Sequence, residues 1–288
     1  MNIIVFGGAG FLGSHVADAL SEKGHNVTVF DLVKSPYLKS NQSCIIGDIT
    51  NFDFVRKAIN GQDIVYNFAG IADMDVAKSN PLNTVKTNIY GNAVLLEASR
   101  LAKIKRFIFA STLYVYSKAG SFYRSSKQAS ELLIENYHDV YNLDFTILRY
   151  GSLYGPRANE SNWIYKVIKQ ALNERKIIRH GDGEELREYI HVLDAARLSV
   201  DILSEEYKNQ YVVISGHQQM KIKDLMIMIK EILNNKIELE FLPVDSNEHY
   251  EITPYVFCPK IAKKIQSNNF IDLGQGMLDL ITQIYHEK

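Results

Sequence analysis

A doubly wound α/β fold is what this sequence predicts: a parallel sheet with helices on both faces and a smaller α/β lobe beside it. Three observations carry that expectation. Short, nearly all-apolar runs alternate with helix-length stretches through the first half of the chain, and strands covered on both faces read in this way. The first apolar run passes straight into a glycine-rich turn that opens a helix. The length of 288 residues, 46% of them hydrophobic, allows one large or two intimate domains with a substantial core.

In chain order, the main-sheet strands are expected at residues 3–6, 27–30, 44–47, 64–68, 106–110 and 145–149, each short and nearly all apolar. Helices are expected between them at 10–23, 52–60, 81–102 and 125–141, the order of a parallel sheet with crossover helices. From Gly151 onward the alternation weakens. Helices are expected at 163–173, 195–204, 221–233 and 276–285, with short strands near 189–191, 211–214 and 237–241. Residues 1–151 therefore read as the main domain, with returns to it near 183–206, and residues 152–288 mainly as a smaller ligand lobe. No internal repeat, low-complexity tract or Pro/Gly/Ser linker separates them, so the lobes should pack closely around a cleft, the default ligand site.

Composition excludes several classes. Thirty-two basic residues against thirty-three acidic ones leave a net charge of −1, so no bulk field attracts nucleic acid or an anionic membrane, and neither is an expected partner. Any anionic ligand must be held by a local site. Cys44 and Cys258 are far apart, with no CxxC or Cys/His cluster, which points to neither a disulfide framework nor a metal site and fits a reduced, cytoplasmic setting. The first apolar run is too short for a signal-peptide core, and no later stretch approaches the roughly 18 apolar residues of a membrane span.

Residues 3–6 run into Gly7-Gly8-Ala9-Gly10-Phe11-Leu12-Gly13, a G-x-x-G-x-x-G loop, and the second strand ends in Asp31, eighteen residues after Gly13. Glycines permit a tight turn, close approach of backbone to a pyrophosphate and close helix–strand packing, while the helix start offers unpaired N–H donors. In that context the loop, with Gly7, Gly10, Phe11, Leu12 and Gly13, reads as a dinucleotide-binding turn, and the sheet as Rossmann-type. Asp31 would accept hydrogen bonds from the adenosine ribose hydroxyls and repel a 2′-phosphate, which favours NAD over NADP; Lys34 nearby softens that repulsion. Asp48 and Ile49, after the third strand, read as adenine-pocket residues, or Asp48 as a cap on the helix near Phe52.

A second constellation begins where the fifth strand ends in Ser111-Thr112 and continues to Tyr123 and Lys127. Tyr and Lys four residues apart share one helix face, so an ammonium can lie near the phenol. A free tyrosine titrates near ~10, and bringing it to neutrality takes about 3 units, or roughly 4 kcal/mol, from nearby positive charge. Lys127 and an oxidised nicotinamide ring could supply it.

At these motifs the chain resembles the extended short-chain dehydrogenase/reductases of the NAD-dependent epimerase/dehydratase family. The resemblance covers nearly the whole length: GGAGFLGS at 7–14, YNFAG at 66–70, TNIYGNAVLLEA at 87–98, FASTLYVYS at 109–117, YRSSK at 123–127, LRYGSLYGPR at 148–157 and GDGEELREYIHVLDAA at 181–196. It implies NAD as cofactor and a nucleotide-linked sugar as substrate. It also implies Tyr123 as general acid/base, Lys127 as the residue that lowers its pKa and holds the nicotinamide ribose, and Thr112 as the hydroxyl on the reacting sugar oxygen, with Ser111 a neighbour that could be mistaken for it. Phe68, Ala69 and Gly70 would run beneath the cofactor, Asn88 would support the site from its helix, and Tyr150 would join the cofactor contacts. Ser152, Asn162 and Arg187 would face the substrate, the last on its diphosphate, where Arg donates bidentately. For Arg187 the competing reading is a solvated charge among Glu184, Glu185 and Glu188. His191 reads as a structural histidine rather than a catalyst.

The departures narrow the chemistry. After the catalytic hydroxyl, the family's sugar 4,6-dehydratases and UDP-glucuronate decarboxylases carry acidic residues; this chain has Leu113 and Tyr114, and it lacks the cysteine that GDP-fucose synthase-like members place near Tyr114. Ser152 replaces a common Asn, and the spacer between Thr112 and Tyr123 is short. The resemblance therefore implies epimerisation through transient oxidation at sugar C4, with two alternatives: a dehydrogenase or reductase releasing a keto sugar, and a non-catalytic NAD-binding protein. The helices at 81–102 and 125–141 resemble the family's dimer-forming pair, which makes a homodimer the expected state. Val94, Leu95, Leu132, Leu133 and Ile134 in them fit an interface or ordinary core packing equally well.

Overall fold

The structure, a computed structural model, describes residues 1–216 and 219–243. The helix expected over 276–285 and Cys258 lie outside the described residues. In chain order the strands are β1 (Asn2–Phe6), β2 (Asn26–Asp31), β3 (Gln42–Ile46), β4 (Ile64–Asn67), β5 (Arg106–Thr112), β6 (Phe145–Tyr150), β7 (Ser152–Tyr154), β8 (Lys176–His180), β9 (Leu186–His191), β10 (Gln210–Ile214), β11 (Gln219–Lys221) and β12 (Glu238–Leu242). The helices are α1 (Phe11–Glu22), α2 (Phe52–Ile59), α3 (Met74–Ser79), α4 (Pro81–Thr84), α5 (Gly91–Ala102), α6 (Ser121–Tyr141), α7 (Trp163–Glu174), α8 (Val192–Asp201) and α9 (Ile222–Ile232).

Seven strands make one parallel sheet in the order β10-β6-β5-β4-β1-β2-β3. The order reverses between β1 and β4, and this switch point is where a doubly wound sheet opens a crevice for a ligand. One face packs Ile3, Val5 and Ile64 against Val16, Ala17 and Leu20 of α1 and Ala195, Ala196 and Val200 of α8. The other packs Ile4, Phe6, Val65, Phe107 and Phe109 against α2, α5 and α6 through Val55, Ile59, Leu95, Leu96 and Ile134. Burial on both faces explains why these strands carry no polar alternation.

Residues 192–214 thus belong to the main sheet: α8 seals one face and β10 extends the edge beside β6. A separate small core of Val167, Ala171, Ile177, Ile222, Met226, Ile229 and Ile237 joins α7 and α9 to the parallel pair β8–β12. The strands β7, β8 and β11 and the short helix α3 fall where the sequence gives no periodic signal. Three residues of β7 and β11 pair only because β9 lies between them.

Two expected helices differ in detail. The stretch 81–102 is interrupted by a π-helical turn at Val85–Tyr90, a local widening of the kind that clusters at functional sites. Helix α6 begins at Ser121, four residues before the expected 125, so Tyr123 stands in its first turn. Its N-cap is Gly120 at φ 94°, and a Cβ there would lie 2.8 Å from the Tyr114 ring. Glycine therefore starts this helix through conformation and close approach, without the side-chain cap by which helix starts are recognised.

Val94, Leu95 and Ile134 are buried in the sheet-facing core, and Leu133 packs on its edge, while Leu132 is 59% exposed. No helix among the described residues is long and apolar enough to cross a membrane.

Candidate active site

Gly7 turns the chain out of β1 at φ 75°, and a Cβ there would lie 2.6 Å from the backbone of Phe68 and Ala69. At Gly13 an added Cβ would stand 2.2 Å from the Gly7 carbonyl oxygen. The loop therefore lies flush against the end of β4, and α1 begins at Phe11 and Leu12 from Gly10, which supplies no side-chain cap. Asp31, at the end of β2, accepts from Ala9 N (2.9 Å) with one carboxylate oxygen and from Leu32 N (2.7 Å) with the other. A cavity of about 430 Å³ opens at the switch point, lined by Gly7, Gly10, Asp31, Asp48, Ile49, Phe68, Ala69 and Gly70 among others. A bare helix start, a backbone cradle without room for side chains and a carboxylate at the next strand end fit a dinucleotide pyrophosphate and ribose.

Asp48 caps Thr50, accepting from its N (2.8 Å) and Oγ1 (2.9 Å), while Asn51 caps α2 by accepting from Phe54 N. Asp48 is thus a loop carboxylate on the cavity wall and not the helix cap. Asn88, on the π-helical turn and 4% exposed, accepts from Ile71 N (2.7 Å) and donates to Ile71 O (2.9 Å) and Ser126 Oγ (2.9 Å). It clamps the loop after Gly70 to α6 with all its amide groups engaged by protein. Tyr150 has its hydroxyl 2.6 Å from Ser199 Oγ and its ring 6.4 Å from that of Phe68, and burial pushes its phenol up. Its place is in the layer beneath Phe68, not on the cavity lining.

At the C-terminal end of β5, alternation separates two neighbouring hydroxyls. Ser111 donates to Glu131 Oε1 on α6 (2.5 Å), whereas Thr112 Oγ1 accepts from Tyr114 N (3.3 Å). Lys127, one turn after Tyr123, buries its side chain and donates to Ala110 O (2.7 Å), with Nζ 4.7 Å from the Phe109 ring centre and 5.9 Å from that of Tyr123. Burial pulls the Lys127 ammonium down to about 8, while the Glu131 charge acts in the opposite direction. The Tyr123 ring meets the Tyr114 ring edge-on at 6.4 Å. Thr112, Tyr114, Tyr123 and Lys127 thus converge at one end of β5.

A second cavity of about 260 Å³ is lined by Ala72, Asp73, Tyr114, Ser152, Asn162, Trp163, Lys166, Arg179, Arg187 and Tyr189 among others. Arg187, on β9, is 5% exposed and donates to Leu186 O (2.8 Å). Its acidic neighbours have other partners: Glu185 pairs with Arg179, Glu184 with Lys221, and Glu188 accepts from Gln219. Arg187 is therefore not a solvated surface charge. Asn162 is the N-cap of α7, accepting from Tyr165 N and donating to Leu153 O (2.9 Å). His191 caps α8, accepting from Leu193 N, and meets Tyr154 edge-on at 5.3 Å.

Sequence reasoning missed three contributors. Tyr114 touches both Tyr123 and the second cavity. Arg179 enters the same cavity with its guanidinium 5.6 Å from the Trp163 ring centre. Glu131 stands four residues after Lys127, the one spacing that could have marked it.

A nucleotide cradle at the switch point, with a buried lysine and a tyrosine on one helix at the next strand end, defines the class: a short-chain dehydrogenase/reductase-type enzyme. The chain belongs to the NAD-dependent epimerase/dehydratase family, whose model matches residues 3–214, and its cofactor is NAD. Among relatives it is 28% identical to a putative UDP-glucose 4-epimerase of Methanocaldococcus jannaschii, covering 96% of this chain and 95% of that one. It is likewise 28% identical to the UDP-N-acetyl-alpha-D-glucosaminuronate decarboxylase of Bacillus cytotoxicus, over 84% of this chain and 83% of that one. The UDP-glucose 4-epimerase of Thermotoga maritima, solved with UDP-glucose, superposes with a TM-score of 0.82 at 28% identity, covering 89% of this chain and 90% of that one.

Proposed function

We propose that this chain epimerises a nucleotide-linked sugar at C4 by transient oxidation. The observation that carries the reading lies in the two residues after Thr112: Leu113 is 1% exposed in the interior, and Tyr114 presents a phenol to the second cavity. No carboxylate stands at the two positions from which the family's dehydratases and decarboxylases act on the oxidised sugar. Asp73 reaches the cavity from the other side, but it caps α3, accepting from Asp75 N and Val76 N, and pairs with Lys166 at 3.7 Å.

Bound NAD supplies a reversible hydride acceptor. Tyr123 takes the proton of the sugar hydroxyl and later returns it, and the Lys127 charge favours the phenolate for that task. Thr112 donates to the sugar oxygen as charge develops there. Gly7, Gly10, Phe11, Leu12 and Gly13 seat the cofactor pyrophosphate, Asp31 the adenosine ribose, Asp48 and Ile49 the adenine, and Phe68, Ala69 and Gly70 the floor. Asn88 and Tyr150 support that floor from beneath. Arg187 meets the substrate diphosphate, with Ser152 and Asn162 lining the path to it. A homodimer through the outward faces of α5 and α6 completes the proposal, supported by exposed Leu101 on α5 and Leu132 and Val140 on α6.

The test is incubation with UDP-, dTDP-, GDP- and CDP-linked sugars while NADH absorbance and the sugar's NMR spectrum are monitored. A C4 epimer without net NADH is expected. Accumulating NADH with a keto sugar would instead identify a dehydrogenase, and a 6-deoxy or decarboxylated product would overturn the reading. Full turnover by Tyr123→Phe would remove the mechanism.

A further inference from the structure

We propose that Glu131 is a positioning residue for this site: its carboxylate, fixed by Ser111 and Arg149, keeps the buried Lys127 charged beside Tyr123. The proposal rests on the roles of Tyr123 and Lys127 given above. Glu131 and Lys127 are 5% and 6% exposed and stand one turn apart on the inner face of α6. A lysine so buried is drawn toward its neutral form unless an opposite charge lies close by.

That opposite charge is itself held on several sides. Glu131 Oε1 accepts from Ser111 Oγ (2.5 Å) and Arg149 Nε (3.1 Å), and Oε2 accepts from Arg149 Nη2 (2.6 Å). Arg149 also donates to Tyr116 Oη (2.5 Å), and its guanidinium lies 4.6 Å from the ring centres of both Tyr116 and Tyr211. Tyr211 in turn donates to Glu135. Lys127 thus meets the Ala110 carbonyl and the Phe109 and Tyr123 rings, with Glu131 one turn along its own helix; Ser111 of β5 and Arg149 of β6 gather on that carboxylate, and Tyr116, Tyr211 and Glu135 lie behind Arg149. Among these the Glu131 carboxylate is the charge that acts to keep the ammonium protonated.

The arrangement also explains why the two hydroxyls at the end of β5 have different fates. Ser111 is committed to the carboxylate, which leaves Thr112 on the opposite side of the strand. A charged Lys127 is what Tyr123 requires to act as a base near neutrality, so Glu131 would act on the chemistry through Lys127 without touching substrate.

The test reads Lys127 directly. In protein labelled with carbon-13 at lysine Cε, with the Lys127 resonance assigned by loss in Lys127→Arg, the resonance is titrated across neutral and alkaline pH. Glu131→Gln should lower the Lys127 midpoint by about 1 unit or more, the scale of a neighbouring charge. Glu131→Asp should restore part of it, and Glu135→Gln, one turn further along, should leave it unchanged. Because Glu131→Gln strands a buried guanidinium, the double variant Glu131→Met/Arg149→Met is titrated too; apolar replacement of a buried ion pair is commonly tolerated, and since the opposing Arg149 cation leaves with the carboxylate, the midpoint should fall by less than in Glu131→Gln. An unchanged midpoint in both variants overturns the proposal. The titration needs no substrate, so a wrong substrate class would leave its outcome intact. With a sugar nucleotide that is turned over, the alkaline limb of activity should fall in Glu131→Gln by the same shift.

Discussion

Replacing Gly13 by alanine isolates the contact on which the cofactor cradle depends. The added Cβ would stand 2.2 Å from the Gly7 carbonyl oxygen and 2.9 Å from the Gly7 carbonyl carbon. Carbon–oxygen contacts settle at about 3.3 Å, so the first turn of α1 must retreat from the loop by about 1.1 Å. The Gly7 oxygen cannot give way easily, because it accepts from Gly10 N (3.1 Å) and Gly7 N donates to Phe30 O (2.9 Å). Overpacking of this kind costs about 1–3 kcal/mol of stability. The larger effect falls on binding: each charge-assisted bond lost between the retreating helix start and the pyrophosphate is worth about 1.5–3 kcal/mol, so the NAD dissociation constant should rise about 10- to 100-fold. The assay is NAD titration by calorimetry beside urea unfolding, with Gly24→Ala as the control. Gly24 has φ 79° but nothing within 4 Å of its added Cβ, so it should cost about 1 kcal/mol of backbone strain and leave NAD binding alone. Native NAD affinity and native stability in Gly13→Ala would refute the reasoning.

Three further outcomes are expected from the same geometry. Lys127→Met should stabilise the NAD-free protein at neutral pH while removing turnover: burial lowers the ammonium from 10.5 to about 8, and a group that binds fewer protons folded than unfolded costs about 3 kcal/mol below both values. That gain over wild type should shrink as pH rises from about 8 to 10.5, and urea unfolding that finds the variant less stable at neutral pH would contradict it. Arg187→Met should weaken sugar-nucleotide binding about 10- to 100-fold by loss of a charged donor pair with NAD affinity unchanged, as read by calorimetry; equal losses for both ligands would place Arg187 elsewhere in function. Asn88→Ala should cost about 2–3 kcal/mol, since it leaves Ile71 N and Ile71 O without their partner, and should loosen NAD binding; a near-neutral unfolding free energy would count against the clamp.

The fold was largely legible because burial on both faces leaves its mark on the inner strands β1, β4, β5 and β6 as short apolar runs, and because Gly7 and Gly13 must be small where backbone meets backbone. Arg187, Tyr123 and Lys127 were singled out through motif and spacing, and their roles are those proposed above. Hidden were features whose cause lies in distant sequence. The two hydroxyls Ser111 and Thr112 look equivalent until α6 brings Glu131 to one of them. Nothing near Tyr150 in the chain announces that its hydroxyl meets Ser199, forty-nine residues on. The start of α6 carries no cap residue because Gly120 makes the turn by its positive φ under the Tyr114 ring.

By itself the sequence determined the parallel sheet and the glycine turn after β1, and it singled out the Thr112, Tyr123 and Lys127 set proposed above, since hydrophobic pattern and local backbone demands act over a few residues. Only the tertiary structure decided which charges surround those residues. The desolvation of Lys127, its answering carboxylate and the burial of Arg187 arise from elements far apart in the chain, and electrostatic effects of this size exist only once packing has excluded water.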